Sequence, residues 1–228
     1  MIEFLFLDLD DTILDFHKAE RVALGKTLAH FGIEPTEHVL NRYHLINKAC
    51  WERLEKGELT RDQVLVERFR LLFAELGVEA DPAAVTELYS EKLAIGHWFM
   101  PGAEEAVERL SKKYRLFLAS NGTASVQAGR MTSANLYRFF ELVFVSQEIG
   151  YNKPSREYFD RCFAQIPGFD PARAMMVGDS LTSDIQGGIN VGILTCWVNP
   201  GGKTHRADIV PNHEIKALSE LEALLEKL

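Results

Sequence analysis

Short apolar runs that stop at acidic, hydroxyl or lysine-bearing turns constrain this chain more than any other feature. Five stand out: residues 2–7, Leu116-Phe117-Leu118-Ala119, Leu142-Val143-Phe144-Val145, Met175-Met176-Val177 and Ile193-Leu194-Thr195-Cys196-Trp197. Continuous apolarity over so few residues predicts strands covered on both faces, as in a parallel sheet. Helix-like patterns separate the later runs, at about 102–113, 123–135, 155–165 and 181–191. Alternating strand and helix signals predict right-handed βαβ units, and so an α/β fold.

Between residues 15 and 98 the texture changes. Apolar residues fall at helical spacings, as in Val64, Leu65, Phe69, Leu72, Phe73 and Leu76, and breaks occur at residues 32–35, 57 and 77–82. The spacing predicts helices at about 17–31, 36–55, 60–76 and 82–96. A helical block placed directly after the first strand reads as an insertion, with Pro101-Gly102 marking the return. The expected organisation is a core of residues 1–15 and 98–228 with an all-helical cap of residues 16–97. A last helix at about 214–227 is expected to dock on the core.

Composition narrows the partners. The 228 residues carry 25 Lys+Arg against 33 Asp+Glu, a formal charge of −8, with no basic run. Such a chain is poorly suited to gripping duplex nucleic acid. A small phosphorylated metabolite is compatible, because a bound cation supplies local positive charge. No apolar stretch approaches the ~20 residues of a membrane span, and the N-terminus reaches Glu3 and Asp8 without a basic segment, unlike a secretory signal. Cys50, Cys162 and Cys196 are scattered and fit reduced thiols, so a cytoplasmic protein is expected, a monomer or homodimer with no membrane partner.

Parallel sheets bind ligands at the carboxyl ends of their strands. The first strand ends in Asp8-Leu9-Asp10-Asp11-Thr12 and the second in Ser120-Asn121-Gly122. The third leads to Gly150-Tyr151-Asn152-Lys153-Pro154, and the fourth to Gly178-Asp179-Ser180-Leu181-Thr182-Ser183-Asp184. Singly, each is an ordinary turn or cap; their joint order is what points to a site. Clustered carboxylates repel one another unless a cation lies among them, and a hard cation with oxygen ligands suggests Mg²⁺. Ser120, backbone N–H groups near Asn121-Gly122, and Lys153 offer donors to a phosphate. One carboxylate can serve as nucleophile and a second can protonate a leaving oxygen.

Asp8-x-Asp10-x-Thr12, Ser120, Lys153-Pro154 and Gly178-Asp179-x-x-x-x-Asp184 together resemble the four motifs of the haloacid dehalogenase-like (HAD) hydrolase superfamily, over about residues 1–15 and 98–200. The helical insertion resembles its C1-type cap. The resemblance implies a Rossmann-like sheet of order 3-2-1-4-5, flanked by helices. It implies Asp8 as nucleophile and Asp10 as general acid/base. Thr12 and Ser120, with Asn121 beside them, would hold phosphate, and Lys153 would neutralise nucleophile and phosphate. Asp8, the Asp10 backbone carbonyl and Asp179 would bind Mg²⁺, and Asp184 would lie near the metal or hold Lys153. Tyr151 and Asn152 depart from the small residue that many relatives carry before the lysine. Dehalogenases of the superfamily lack the second acid and the metal, so Asp10 favours a phosphatase: an alkoxide leaving group needs a proton, whereas a halide does not.

A narrower resemblance lies in Asn47-Lys48-Ala49-Cys50-Trp51, Lys56-Gly57-Glu58-Leu59-Thr60 and Arg68-Phe69, and in the stretch from Asp184 to Asn199. These are similar to the YjjG/YfnB-type pyrimidine 5′-nucleotidases. The resemblance implies nucleoside monophosphates such as UMP, dUMP and dTMP as substrates, with Asn47, Trp51 and Arg68 as specificity residues. Aromatic residues at helical spacing fit core packing equally well. The rival readings are a phosphatase for phosphoglycolate or a sugar phosphate, a phosphomutase, and an inactive binding protein on the same scaffold.

Overall fold

Phe4–Leu7 forms the first strand, β1, and all four of its side chains are buried. The computed structural model describes residues 1–204 and 206–228. β1 joins β2 (Arg115–Ser120), β3 (Leu142–Val145), β4 (Ala174–Gly178), β5 (Leu194–Val198) and β6 (His213–Ile215) in one sheet of order β3-β2-β1-β4-β5-β6. Each neighbouring pair is parallel. The expected order 3-2-1-4-5 is present, extended by one strand at the edge.

The helices in chain order are α1 (Phe16–His30), α2 (Glu37–Glu55), α3 (Arg61–Leu76), α4 (Pro82–Ala94), α5 (Ala103–Ser111), α6 (Ala124–Ser133), α7 (Ser146–Ile149), α8 (Arg156–Phe163), α9 (Gln186–Val191) and α10 (Leu221–Leu225). The chain folds as two units, Met1–Phe16 with His97–Leu228, and His17–Gly96.

In the sheet unit, alternate strand residues feed two cores. Leu5, Leu7, Leu116, Leu118, Met175 and Val177 pack with Ala106, Val107 and Leu110 of α5 and with Leu221 and Leu225 of α10. Phe4, Phe6, Phe117, Phe144 and Met176 pack with Tyr158, Phe159 and Cys162 of α8. Helices on both faces explain why the strands read as unbroken apolar runs. The shared register, Leu7 opposite Leu118 and Val177, brings Asp8, Ser120 and Asp179 to one rim.

One expectation is corrected. Residues 214–227 are not a single helix: His213–Ile215 pairs with β5 as β6, and helix returns only at Leu218–Glu220 and α10. The non-local pairing overrides local helical preference, and Ile215 gains burial from it.

In the helical unit, Thr60 and Gln63 form a capping box at the start of α3, which ends at Gly77 in the left-handed conformation (φ 64°). Pro82 opens α4 after its Asp81 cap. The rings of Tyr43, Phe69 and Tyr89 pack at centroid distances of 5.0, 5.6 and 5.4 Å and are buried. Among the described residues, no helix is long and apolar enough to cross a membrane. Cys50, Cys162 and Cys196 are free, buried thiols.

Candidate active site

Asp8 follows β1 directly, and its N–H donates to Val177 O at 2.9 Å, fastening the loop to β4. Its Oδ1 accepts from Lys153 Nζ at 2.7 Å. The ammonium is 1% exposed and also donates to Ala119 O at 2.5 Å and Asp184 Oδ1 at 2.6 Å. All three donors of Lys153 are thus used on fixed acceptors. Burial works against its charge, but Asp184 and Asp8 outweigh that and raise its pKa, so it stays protonated.

The lysine backbone is equally constrained. Asn121 Oδ1 accepts from Lys153 N at 2.8 Å, and Asn121 Nδ2 donates to Lys153 O at 2.9 Å and Ser183 Oγ at 3.2 Å. Asp184 Oδ2 accepts from Ser180 N at 3.1 Å. A Cβ on Gly178 would lie 2.1 Å from that oxygen, so only glycine lets Asp184 reach the lysine.

Carboxylate oxygens of Asp8, Asp179 and Asp184 lie within 4.8 Å of one another. Burial raises the Asp8 pKa well above the usual carboxylate range; Lys153 opposes this, and Asp184, Asp10 and Asp179 add to it. Burial, with Asp184 and Asp11, pushes Asp179 up to about 7. Three clustered carboxylates, two of them with their ionisation disfavoured by burial and by neighbouring acids, suit a hard divalent cation, which would relieve both desolvation and repulsion. The backbone of Asp179 is held by Trp197, whose Nε1 donates to Asp179 O at 2.9 Å, and Lys203 Nζ lies 3.6 Å from Asp179 Oδ2.

The Asp10 carboxylate is engaged by α6. Gln127 Nε2 donates to Asp10 Oδ2 at 2.7 Å and to Ser120 Oγ at 2.8 Å, and Arg130 Nη1 donates to Asp10 Oδ1. Ser120 Oγ also accepts from Gly122 N at 3.1 Å. The Thr12 hydroxyl is buried with no hydrogen-bond partner among the described residues. Asp11 adopts a left-handed backbone (φ 56°) and its Oδ1 accepts from Phe16 N at 2.9 Å, securing the start of α1.

Gln127 and Arg130 were not among the residues singled out from sequence. Their signal was available as two polar residues three apart on one helix, directly after Ser120-Asn121-Gly122. Trp197 and Lys203 were missed as well: Trp197 lies within β5 and reads as part of an apolar strand, and Lys203 lies beyond the turn that follows it.

Asn47, Trp51 and Arg68 lie in the helical unit, where Asn47 bonds to each of the other two. Asn47 Oδ1 accepts from Trp51 Nε1 and Arg68 Nη1, each at 3.1 Å, and Asn47 Nδ2 donates to Glu20 Oε1 at 2.8 Å. Glu20 Oε2 also contacts His44 Nδ1 at 2.7 Å. The Arg68 guanidinium lies 4.8 Å from the Tyr89 ring centroid and 5.4 Å from that of Phe69. Asn47 and Arg68 are buried, whereas Trp51 is half-exposed.

A family model described as haloacid dehalogenase-like hydrolase matches residues 2–192. Pyrimidine 5′-nucleotidase PynA of Streptococcus pneumoniae (strain ATCC BAA-255 / R6) is 34% identical, over 99% of this chain and 95% of its own. Pyrimidine 5′-nucleotidase YjjG of Escherichia coli (strain K12) is 30% identical, over 99% and 98%. The magnesium-bound crystal structure of YfnB from Bacillus subtilis superposes with a TM-score of 0.94 at 38% identity, over 98% of each chain.

Proposed function

This chain belongs to the haloacid dehalogenase-like hydrolases, and from that premise we propose that it is a Mg²⁺-dependent phosphatase of pyrimidine nucleoside 5′-monophosphates that works through an aspartyl-phosphate. The observation that carries the chemistry is the buried Lys153 ammonium shared by Asp8 and Asp184 beside Asp179. The similarity to two pyrimidine 5′-nucleotidases over nearly the whole chain carries the substrate class.

In the first half-reaction an Asp8 oxygen attacks phosphorus. The ester P–O bond breaks, and the departing nucleoside oxygen takes the proton of Asp10. In the second, water attacks phosphorus and gives its proton to Asp10. The bond from phosphorus to Asp8 breaks, inorganic phosphate leaves, and both carboxyl groups return to their starting states. Lys153 keeps its proton throughout and faces the charge that develops on the phosphoryl oxygens, together with the hydroxyls of Ser120 and Thr12. Asp8, Asp179 and the Asp10 backbone carbonyl would hold Mg²⁺, which when bound adds positive charge to that electrostatic field. Asp184 serves chiefly to orient Lys153.

A substrate panel with and without Mg²⁺ tests this reading. UMP, dUMP and dTMP are expected to show higher kcat/KM than phosphoglycolate or sugar phosphates. Chelation is expected to lower the rate by about 10³-fold or more, the equivalent of several kcal/mol of charge stabilisation, with recovery on adding Mg²⁺. Metal-independent turnover, or a preference for phosphoglycolate, would overturn it.

Of the three specificity residues expected from sequence, Trp51 has ring surface to offer a base, while Asn47 accepts from its indole N–H and Arg68 bonds to Asn47 in turn. Trp51→Ala is expected to raise KM for UMP by roughly tenfold, the worth of a modest stacking contact, with kcat little changed. An unaltered KM would remove Trp51 from recognition.

A further inference from the structure

Both carboxylate oxygens of Asp10 are held by side chains of a single helix, and the reaction as written gives those side chains no task. We propose that Gln127 and Arg130 are positioning residues: they fix the Asp10 carboxyl for proton transfer, and Gln127 ties its position to that of Ser120. The proposal rests on the general acid/base role of Asp10 given above.

The arrangement is built rather than incidental. Arg130 is 0% exposed and Gln127 2% exposed. A guanidinium is costly to bury, and here that cost is met by a charged partner, Asp10. The Arg130 Cζ lies 5.6 Å from the Phe16 ring centroid, and Arg130 Nη1 also approaches Gln127 Oε1 at 3.4 Å. The guanidinium therefore orients the same amide that reaches Asp10.

Gly122 supplies an independent sign. A Cβ at that position would lie 2.3 Å from Gln127 Nε2. The loop that presents Ser120 thus leaves room for the amide that bridges Ser120 and Asp10.

The need for such a clamp follows from the geometry of proton transfer. The Asp10 side chain is 28% exposed, and a carboxyl with free rotation spends much of its time out of reach of the leaving oxygen. General acid–base catalysis demands hydrogen-bond distance at the moment of bond breaking. Anchoring one oxygen by Arg130 and the other by Gln127 removes that freedom. Because Gln127 bonds Asp10 and Ser120 through one nitrogen, a phosphate seated against Ser120 has the acid/base held at a fixed offset.

The test compares kcat/KM for UMP, whose leaving oxygen needs a proton, with that for p-nitrophenyl phosphate, whose phenolate leaves without one. Arg130→Met and Gln127→Leu are made singly and in combination with Asp10→Asn. Arg130→Met is expected to lower kcat/KM for UMP by about 100-fold, within the range of a general-acid contribution, with a smaller loss for p-nitrophenyl phosphate. Arg130→Lys recovers part of that loss. The double variant Asp10→Asn/Arg130→Met is expected to be no worse than Asp10→Asn, because the catalytic effect of Arg130 is carried through Asp10.

Equal losses for the two substrates, or losses that add in the double variant, would mark Arg130 as merely structural and overturn the proposal. Asp10→Asn separates this failure from that of the underlying reading: if it shows no difference between the substrates, the acid role of Asp10 falls and the proposal with it. Should Arg130→Met fail to fold, Gly122→Ala carries the same test. It displaces the Gln127 amide without removing a buried charge, and it is expected to show the same substrate-dependent loss; a loss equal for the two substrates, or none, would overturn the proposal.

Discussion

Asp8→Asn is expected to lower the turnover of UMP by about 10⁴-fold or more, the scale seen when a covalent nucleophile is removed, without lowering the melting temperature. An amide oxygen is a far poorer nucleophile than a carboxylate, so no covalent intermediate forms. Stability behaves differently. The Asp8 carboxylate is buried, and Asp184, Asp10 and Asp179 all disfavour its charge. A neutral amide removes that repulsion and still presents an oxygen to Lys153 Nζ. Steady-state rates at saturating Mg²⁺ and a thermal melt of the same sample check both halves. Near-wild-type turnover would take the nucleophile's role away from Asp8.

Lys153→Met is expected to damage both activity and stability. The ammonium satisfies Asp8, Asp184 and the Ala119 carbonyl from a position with 1% exposure. Its removal strands two carboxylates that already crowd Asp179, and breaking a buried pair in this way costs about 3–5 kcal/mol. In the proposed reaction the lost charge would also face the phosphoryl group, and one such electrostatic contact contributes about 10²–10³-fold in rate. Lys153→Arg is not expected to restore either property, because a planar guanidinium cannot replace a compact ammonium at three converging acceptors. A Lys153→Met protein that melts like the parent and turns over UMP normally would contradict this account.

The parts of the molecule legible in its sequence are those fixed by local pattern. Phe4–Leu7, Leu142–Val145 and Ala174–Gly178 read as covered strands because helices pack on both faces of the sheet. The polar residues that follow β1, β2 and β4 lie on one rim because the strands are parallel and in register. His213–Ile215 was not legible: its strand character comes from pairing with Cys196–Val198, a partner distant in sequence. The Gln127–Arg130 pair left only an ambiguous signal, for a related reason. On a helix, polar residues three apart look like a solvated face until the tertiary structure turns that face toward Asp10. Asp184 had two open placements in the sequence, and the structure is compatible with both: its Oδ1 accepts from Lys153 Nζ at 2.6 Å, and its carboxylate is one of the three in the acidic cluster.

The measurement that bears most directly on the central claim is acid quenching of the enzyme during turnover of UMP with Mg²⁺, followed by mass spectrometry of its peptides. A single phosphoryl group on the Asp8 side chain is predicted in the parent enzyme, and none in Asp8→Asn. Rapid turnover with Asp8 unmodified at every quench time in the parent would show that water attacks the substrate directly and that no aspartyl-phosphate lies on the path.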